Sequence, residues 1–286
     1  MMGVVMAEML LVLSNVFTLL FVVSSMLALG LSLTVKQILE PLKDAKLVVL
    51  ALVANFVLVP ALALGLWAVI PMDESFGTGL VLLACAAGAP FLPKLVQLAK
   101  GDVPFGVGLM VMLMVVTVAF MPLVLPLLLP GVTVNPMDIA SSLVVMMLIP
   151  LGVGLALRAR YPELAASLQP GFDQTAGLAL KALLVAMLLL NWRTLLGTIG
   201  SGAILAAVLL VVGAFAVGYL LGPAPSGRTV LALGTAQRNV AAAMVVASGN
   251  FADDPNVMVM VLVGSVLMLA LLLPGSSEIG RRAGLV

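Results

Sequence analysis

Histidine is absent from the sequence, and cysteine occurs once, at Cys85. These absences exclude metal centres built on His or Cys, Ser-His-Asp catalysis and structural disulfides. Cys85 itself reads as a small buried apolar residue. Charge is scarce too: 9% of residues are Asp, Glu, Lys or Arg, against roughly 25% in soluble chains. A formal net charge of +1 gives no footing for nucleic acid. No cluster of acid, base and nucleophile lies within an apolar segment, so an enzyme is not expected and no cofactor is implied.

Apolar sequence fills the space that charge leaves. Of 286 residues, 63% are hydrophobic, and the mean hydropathy is +1.31. The apolar runs are about 20 residues long, which suits spanning helices rather than barrel strands. The class is therefore an all-α polytopic membrane protein, with the lipid bilayer as its first partner. The chain opens MMGVVMAEML, with Glu8 and no basic residue before a long apolar run. That is expected to be a permanent span rather than a signal peptide.

Charges and Pro/Gly breaks divide the sequence into about nine spans. They are Glu8–Leu33, Lys46–Ile70, Phe76–Ala99, Val103–Leu129, Pro136–Arg158, Phe172–Trp192, Thr198–Leu221, Arg228–Asn250 and Pro255–Leu273. Alternate connections hold Lys36, Lys43 and Lys46; Lys100; Arg158 and Arg160; Arg228; and Arg281 with Arg282. The opposite connections hold Arg193 with Asp73, Glu74, Asp253 and Asp254. The positive-inside rule then predicts an outside N-terminus and a cytoplasmic C-terminus, in the plasma (inner) membrane.

A weak internal repeat links the third and eighth spans, which close on Ala99-Lys100-Gly101-Asp102 and Ala247-Ser248-Gly249-Asn250. The eighth span comes five after the third, an odd step, so the copies would run in opposite directions, as in inverted repeats. Chance similarity in low-diversity sequence is the alternative. Both segments look interrupted. The third reads AAGAPFLPKLVQLAKG, where Pro90 and Pro93 each remove a backbone donor and Gly88 adds freedom. The eighth carries Gly234 and the polar group Thr235, Gln237, Arg238 and Asn239. A charge at mid-membrane costs about 2.5–3.5 kcal/mol on insertion scales, so Arg238 marks a functional site by default. Matched helix breaks point to the binding site of a transporter; a Pro kink in a packing helix is the plainer reading.

Four stretches in order resemble the bile acid:sodium symporter family. They are MLALGLSLTVKQI (Met26–Ile38), ANFVLVPALAL (Ala54–Leu64), LAKGD (Leu98–Asp102) and GTAQRNVAAAMVVASGNF (Gly234–Phe251). The resemblance covers most of the chain. It implies an inverted-repeat transporter fold with a panel and a core domain and two broken, crossing helices. Panel helices would be about 8–33, part of 46–70, 136–158 and 172–192; core helices would be about 76–129 and 198–274. It also implies organic anions as substrates and alternating access of core against panel. The family's ten-helix pattern would lack its first member here.

The residues depart from the family's sodium sites. Asn239 falls on the family's asparagine, but Arg238 falls on its glutamine and Gly234 on its glutamate. Leu92-Pro93 replaces a Ser-Asn pair, and the next helix keeps Thr117 as its nearest hydroxyl. Sodium needs several oxygen ligands, so these changes argue against sodium coupling; a proton or a fixed cation is the substitute. Asn55, where the family has glutamine, joins the candidate site. Lys94 either faces Arg238 or reaches along its helix to the membrane surface, and Lys181 is open in the same way. Asn55, Gln97 and Asn15 either line a cavity or bond between helices. The expected function is secondary active transport of a small organic anion, with substrate or ion contacts at Arg238, Asn239, Gln237, Thr235, Lys94, Pro90, Pro93, Asn55 and Thr117. An uncoupled facilitator or channel of the same fold is the second reading. A membrane sensor or scaffold is the third.

Overall fold

The computed structural model describes residues 2–135, 137–138, 141, 144–223, 225–251 and 253–283; the side chain of Asn15 lies outside the described set. The described residues are 85% helix without a strand. Among the described residues, five helices are long and apolar enough to cross a membrane: Ala45–Val69, Val103–Leu128, Ala203–Leu221, Gly227–Asn250 and Pro255–Ala283. Shorter apolar helical segments cover Val16–Ser32 and Glu74–Cys85. This is the anatomy of a polytopic membrane protein.

The chain divides into two compact units. The first takes Met1–Gln37 and Ser141–Leu196, and the second Ile38–Ala140 and Gly197–Val286. In the first unit, helix α1 (Met2–Ser32) packs along Ile149–Arg160. The contact closes at Gly30 and Gly154, where a Cβ on either residue would strike the other helix's backbone. Small residues allow that approach, and close packing is what holds helices together in lipid. A third helix, Pro162–Gly197, starts well before the expected Phe172 because it runs through Pro170. Pro170 is exposed, so the carbonyl its ring frees can reach water. Lys181 is exposed on this helix, on the rim of an apolar groove of about 380 Å³ that also takes in Leu13 and Phe17. The start of the expected span at Pro136 lies partly outside the described residues.

The second unit holds both interrupted segments. Helix α2 (Ala45–Val69) starts on Asp44, whose carboxylate accepts from Lys46 N at 3.0 Å and Leu47 N at 3.2 Å. Its turn Ala54–Leu58 is π-helical and ends two residues before Pro60. The wider turn absorbs the proline, whose ring would otherwise crowd the carbonyl four residues back. In the first unit, the π turn Val144–Leu148 precedes Pro150 in the same way.

The first interrupted segment has two halves, α3 (Glu74–Cys85) and α4 (Leu92–Leu98). Helix α5 (Val103–Leu128) follows, capped by Asp102, whose carboxylate accepts from Phe105 N at 3.0 Å. The second interrupted segment is α6 (Pro225–Ala236) and α7 (Val240–Asn250), followed by α8 (Pro255–Ala283). The two look-alike endings do different work. Asp102 caps the next helix, whereas Asn250 grips Thr133, accepting from its N–H and donating to its carbonyl, both at 2.7 Å.

Two expectations about the breaks are corrected. Pro93 does not interrupt a helix: it sits in the first turn of α4, where its missing N–H would be unpaired in any case. Gly234 is helical as well. Its role is packing, because a Cβ there would come within 2.6 Å of Leu109 and 3.2 Å of Leu92.

Candidate functional site

The first break runs from Ala86 to Phe91 and the second from Gln237 to Asn239. Four helix ends therefore meet inside the second unit, each with orphan N–H or C=O groups that need partners. The breaks supply many of them to each other. Asn239 N donates to Ala86 O at 2.8 Å, and Asn239 Nδ2 donates to Gly88 O at 2.9 Å. Asn239 Oδ1 also accepts from Ala242 N at 3.1 Å, capping α7. One asparagine thus ties both breaks and starts a helix.

The helix that follows each break adds a further clamp. In the first, Thr117 of α5 accepts from Ala87 N at 3.2 Å and donates to Ala87 O at 2.9 Å. In the second, Met268 Sδ of α8 accepts from Arg238 N at 3.1 Å. Both clamps lie 30 residues beyond the residue they hold. Gly88 has φ +76°, and a Cβ there would fall on the backbone N of Met114, so this turn needs glycine.

Arg238 is 1% exposed and is the largest fully buried side chain of the described residues. Its Nη1 donates to Asn55 Oδ1 at 3.0 Å and to Thr235 O at 2.9 Å. Thr235 O belongs to the last turn of α6, where a cation satisfies an orphan carbonyl and meets the negative end of the helix dipole. Asn55 reaches in from the π-helical turn; its Nδ2 donates to Ala51 O at 3.0 Å and Thr235 Oγ1 at 3.3 Å. Nε and Nη2 of Arg238 and Oε1 of Gln237 are buried without a hydrogen-bond partner.

The structure thus gathers six of the expected residues at the two breaks: Arg238 bonds to Asn55 and Thr235, Asn239 and Thr117 bond to the first break, and Gln237 is buried beside them in sequence without a partner for its Oε1. Pro90 lies half-buried in the turn that closes the first break. Lys94 is placed differently. It is half-exposed, and its ammonium donates to exposed Gln97 Oε1 at 2.8 Å. Met268 went unnoticed in the sequence, because a thioether that accepts a backbone N–H looks like any other methionine.

Asn55 Oδ1 and Thr235 O are bonded to the guanidinium and Thr117 Oγ1 to the Ala87 peptide groups, while Gln237 Oε1 has no hydrogen-bond partner. Among the described residues, no group of three or more His, Cys, Asp or Glu could hold a metal ion.

Residues 18–198 match the Sodium Bile acid symporter family. That stretch includes the first break; the second lies beyond it. The chain is 28% identical over 204 residues to the probable sodium/metabolite cotransporter BASS3, chloroplastic, of Arabidopsis thaliana, a match covering 71% of this chain and 47% of that protein. The rice protein of the same name is 25% identical over 204 residues, with 71% and 48% covered. The probable sodium/metabolite cotransporter BASS6, chloroplastic, of Arabidopsis thaliana is 26% identical over 203 residues, with 68% and 49% covered. The chain spans about half the length of the curated relatives it matches.

Proposed function

Because the chain belongs to the Sodium Bile acid symporter family, we propose that it is a secondary transporter that carries a small organic anion across the membrane by alternating access. The observation that carries this reading is Arg238. A buried guanidinium with no charged hydrogen-bond partner stands where two broken helices meet, and an anion is its natural complement. In this reading Arg238, Gln237, Thr235, Asn239 and Asn55 form the site. Thr117, Pro90 and Pro93 shape the first break, and half-exposed Lys94 guides the anion towards it.

The same reading takes the chain as about nine spans in two inverted repeats, N-terminus outside and C-terminus in the cytoplasm of a plasma (inner) membrane. The equal 30-residue spacing of the two clamps supports the repeat. The panel helices are then about 8–33, 136–158 and 172–192, and the core helices about 76–129 and 198–274. The packing of Ala45–Val69 within the second unit supports counting it with the core.

The relatives' names state sodium cotransport. For this chain we infer a fixed cation instead, since Nη1 of Arg238 already bonds to two oxygens at the second break, Asn55 Oδ1 and Thr235 O. The same observation favours a second reading, an uncoupled facilitator of the same fold. Uptake of a panel of radiolabelled small carboxylates and sulfonates into proteoliposomes tests both, with sodium and pH gradients imposed separately. Proton-driven accumulation supports coupled transport, and equilibration with no accumulation under either gradient supports the facilitator. Sodium-driven accumulation contradicts the fixed cation. Arg238→Ala is expected to fold but to lose uptake by roughly 30-fold or more, the range for truncating a buried hydrogen-bonded charge. Wild-type uptake by that variant would remove Arg238 from the site.

A further inference from the structure

The guanidinium of Arg238 is only half used. Nη1 is committed to Asn55 Oδ1 and Thr235 O, while Nε and Nη2, two donors of the fork, are sealed from solvent and have no partner. Neither partner of Nη1 carries a charge. The acidic residues of this unit lie at helix ends or on the surface: Glu40 paired with Lys43, Asp44 capping α2, Asp73 and Glu74 at α3, Asp102 at α5, exposed Asp138, Asp253 and Asp254 at α8, and Glu278 paired with Arg281 and Arg282. Arginine keeps its proton at neutral pH, and a lone charge in a low-dielectric interior is costly. A buried water would satisfy the two N–H groups but not the charge. Among the described residues no carboxylate bonds to Arg238, so a group from outside the chain is the simplest way to neutralise it.

We propose that a small monovalent anion of about chloride size binds on the Nε–Nη2 edge of Arg238 as part of the resting protein. The two N–H groups point the same way from a rigid plane, so one compact anion can take both. Complete enclosure favours a monatomic ion, which needs little more room than one water. An organic anion carries a body that the two broken helices would have to part to admit. The ion that steadies this crossing is then an anion held by a fixed cation, the reverse sign of a bound sodium. The halide shares this guanidinium with the proposed organic anion: it holds the edge at rest and leaves when the two broken helices part to admit the substrate.

The test is the thermal stability of the purified full chain in detergent, first in sodium gluconate. Chloride or bromide then replaces gluconate at constant sodium concentration and ionic strength. Wild type is expected to show a saturable rise in Tm with either halide. Arg238→Gln is expected to lose the response. Asn55→Asp places a carboxylate beside Nη1; it is expected to unfold above wild type in gluconate and to gain nothing from halide. Bromide-soaked crystals of wild type should show anomalous density within hydrogen-bonding reach of Nε and Nη2, which keeps the test open if Arg238→Gln does not fold. A wild-type Tm that ignores halide, an equal rise in Arg238→Gln, or water alone on that edge overturns the proposal. None of these readings uses transport, so failure here leaves the transporter reading standing.

Discussion

The two breaks face one problem with different chemistry. Each leaves backbone polar groups buried in an apolar surround, where an unmade hydrogen bond is expensive. The first break, Ala86–Phe91, is held by neutral groups with firm geometry: the Thr117 hydroxyl bonds both ends of the Ala87 peptide environment, and Asn239 takes two of its carbonyls. The second, Gln237–Asn239, is shorter and relies on a thioether and a guanidinium. A thioether is a weak acceptor, and the guanidinium brings a charge that the surrounding side chains do not balance. The first break is therefore the rigid one. The second carries the unsatisfied groups, Nε and Nη2 of Arg238 and Oε1 of Gln237, and is where the proposed anion would bind.

Substitutions can sharpen or break that contrast. The largest loss is expected for Gly88→Ala, which forces a left-handed residue and a clash with the Met114 backbone together. It should cost about 3 kcal/mol or more, seen as low yield and a collapsed Tm in detergent. Thr117→Val keeps the shape but leaves the Ala87 N–H and C=O without their partner, and should cost about 2 kcal/mol in chemical unfolding. Met268→Leu removes only the thioether contact to Arg238 N and should cost less than about 1 kcal/mol by the same assay. If Met268→Leu proves as damaging as Thr117→Val, the second break is not the softer one.

Much of this was legible before the fold was known, though not evenly. A polar group within an apolar span and a Pro-rich stretch within another marked both breaks, because membrane interiors make such residues stand out. Their positions inside the breaks were less legible. Pro93 reads as a breaker, yet it starts α4, since proline suits a first helical turn as well as a kink. Gly234 reads as part of the interruption, yet the helix passes through it and the absent side chain makes room for Leu109. Lys94 reads two ways, as a partner for Arg238 or, so near its helix end, as a lysine that reaches to the membrane surface; it is half-exposed and bonds to Gln97. Which way a side chain turns on a short helix depends on packing that one sequence does not display. Asn55 entered only through a motif, and its contact with Arg238 spans 183 residues, a separation that no local pattern encodes.

The central claim is that Arg238 holds the second break in place of a bound sodium ion. Its most direct test is the Tm of the purified wild-type chain as sodium replaces choline at constant chloride. The Tm is expected to stay flat across the titration, because Asn55 Oδ1 and Thr235 O already hold a cation. A saturable rise with sodium, the signature of a ligand that binds the folded state, would contradict it.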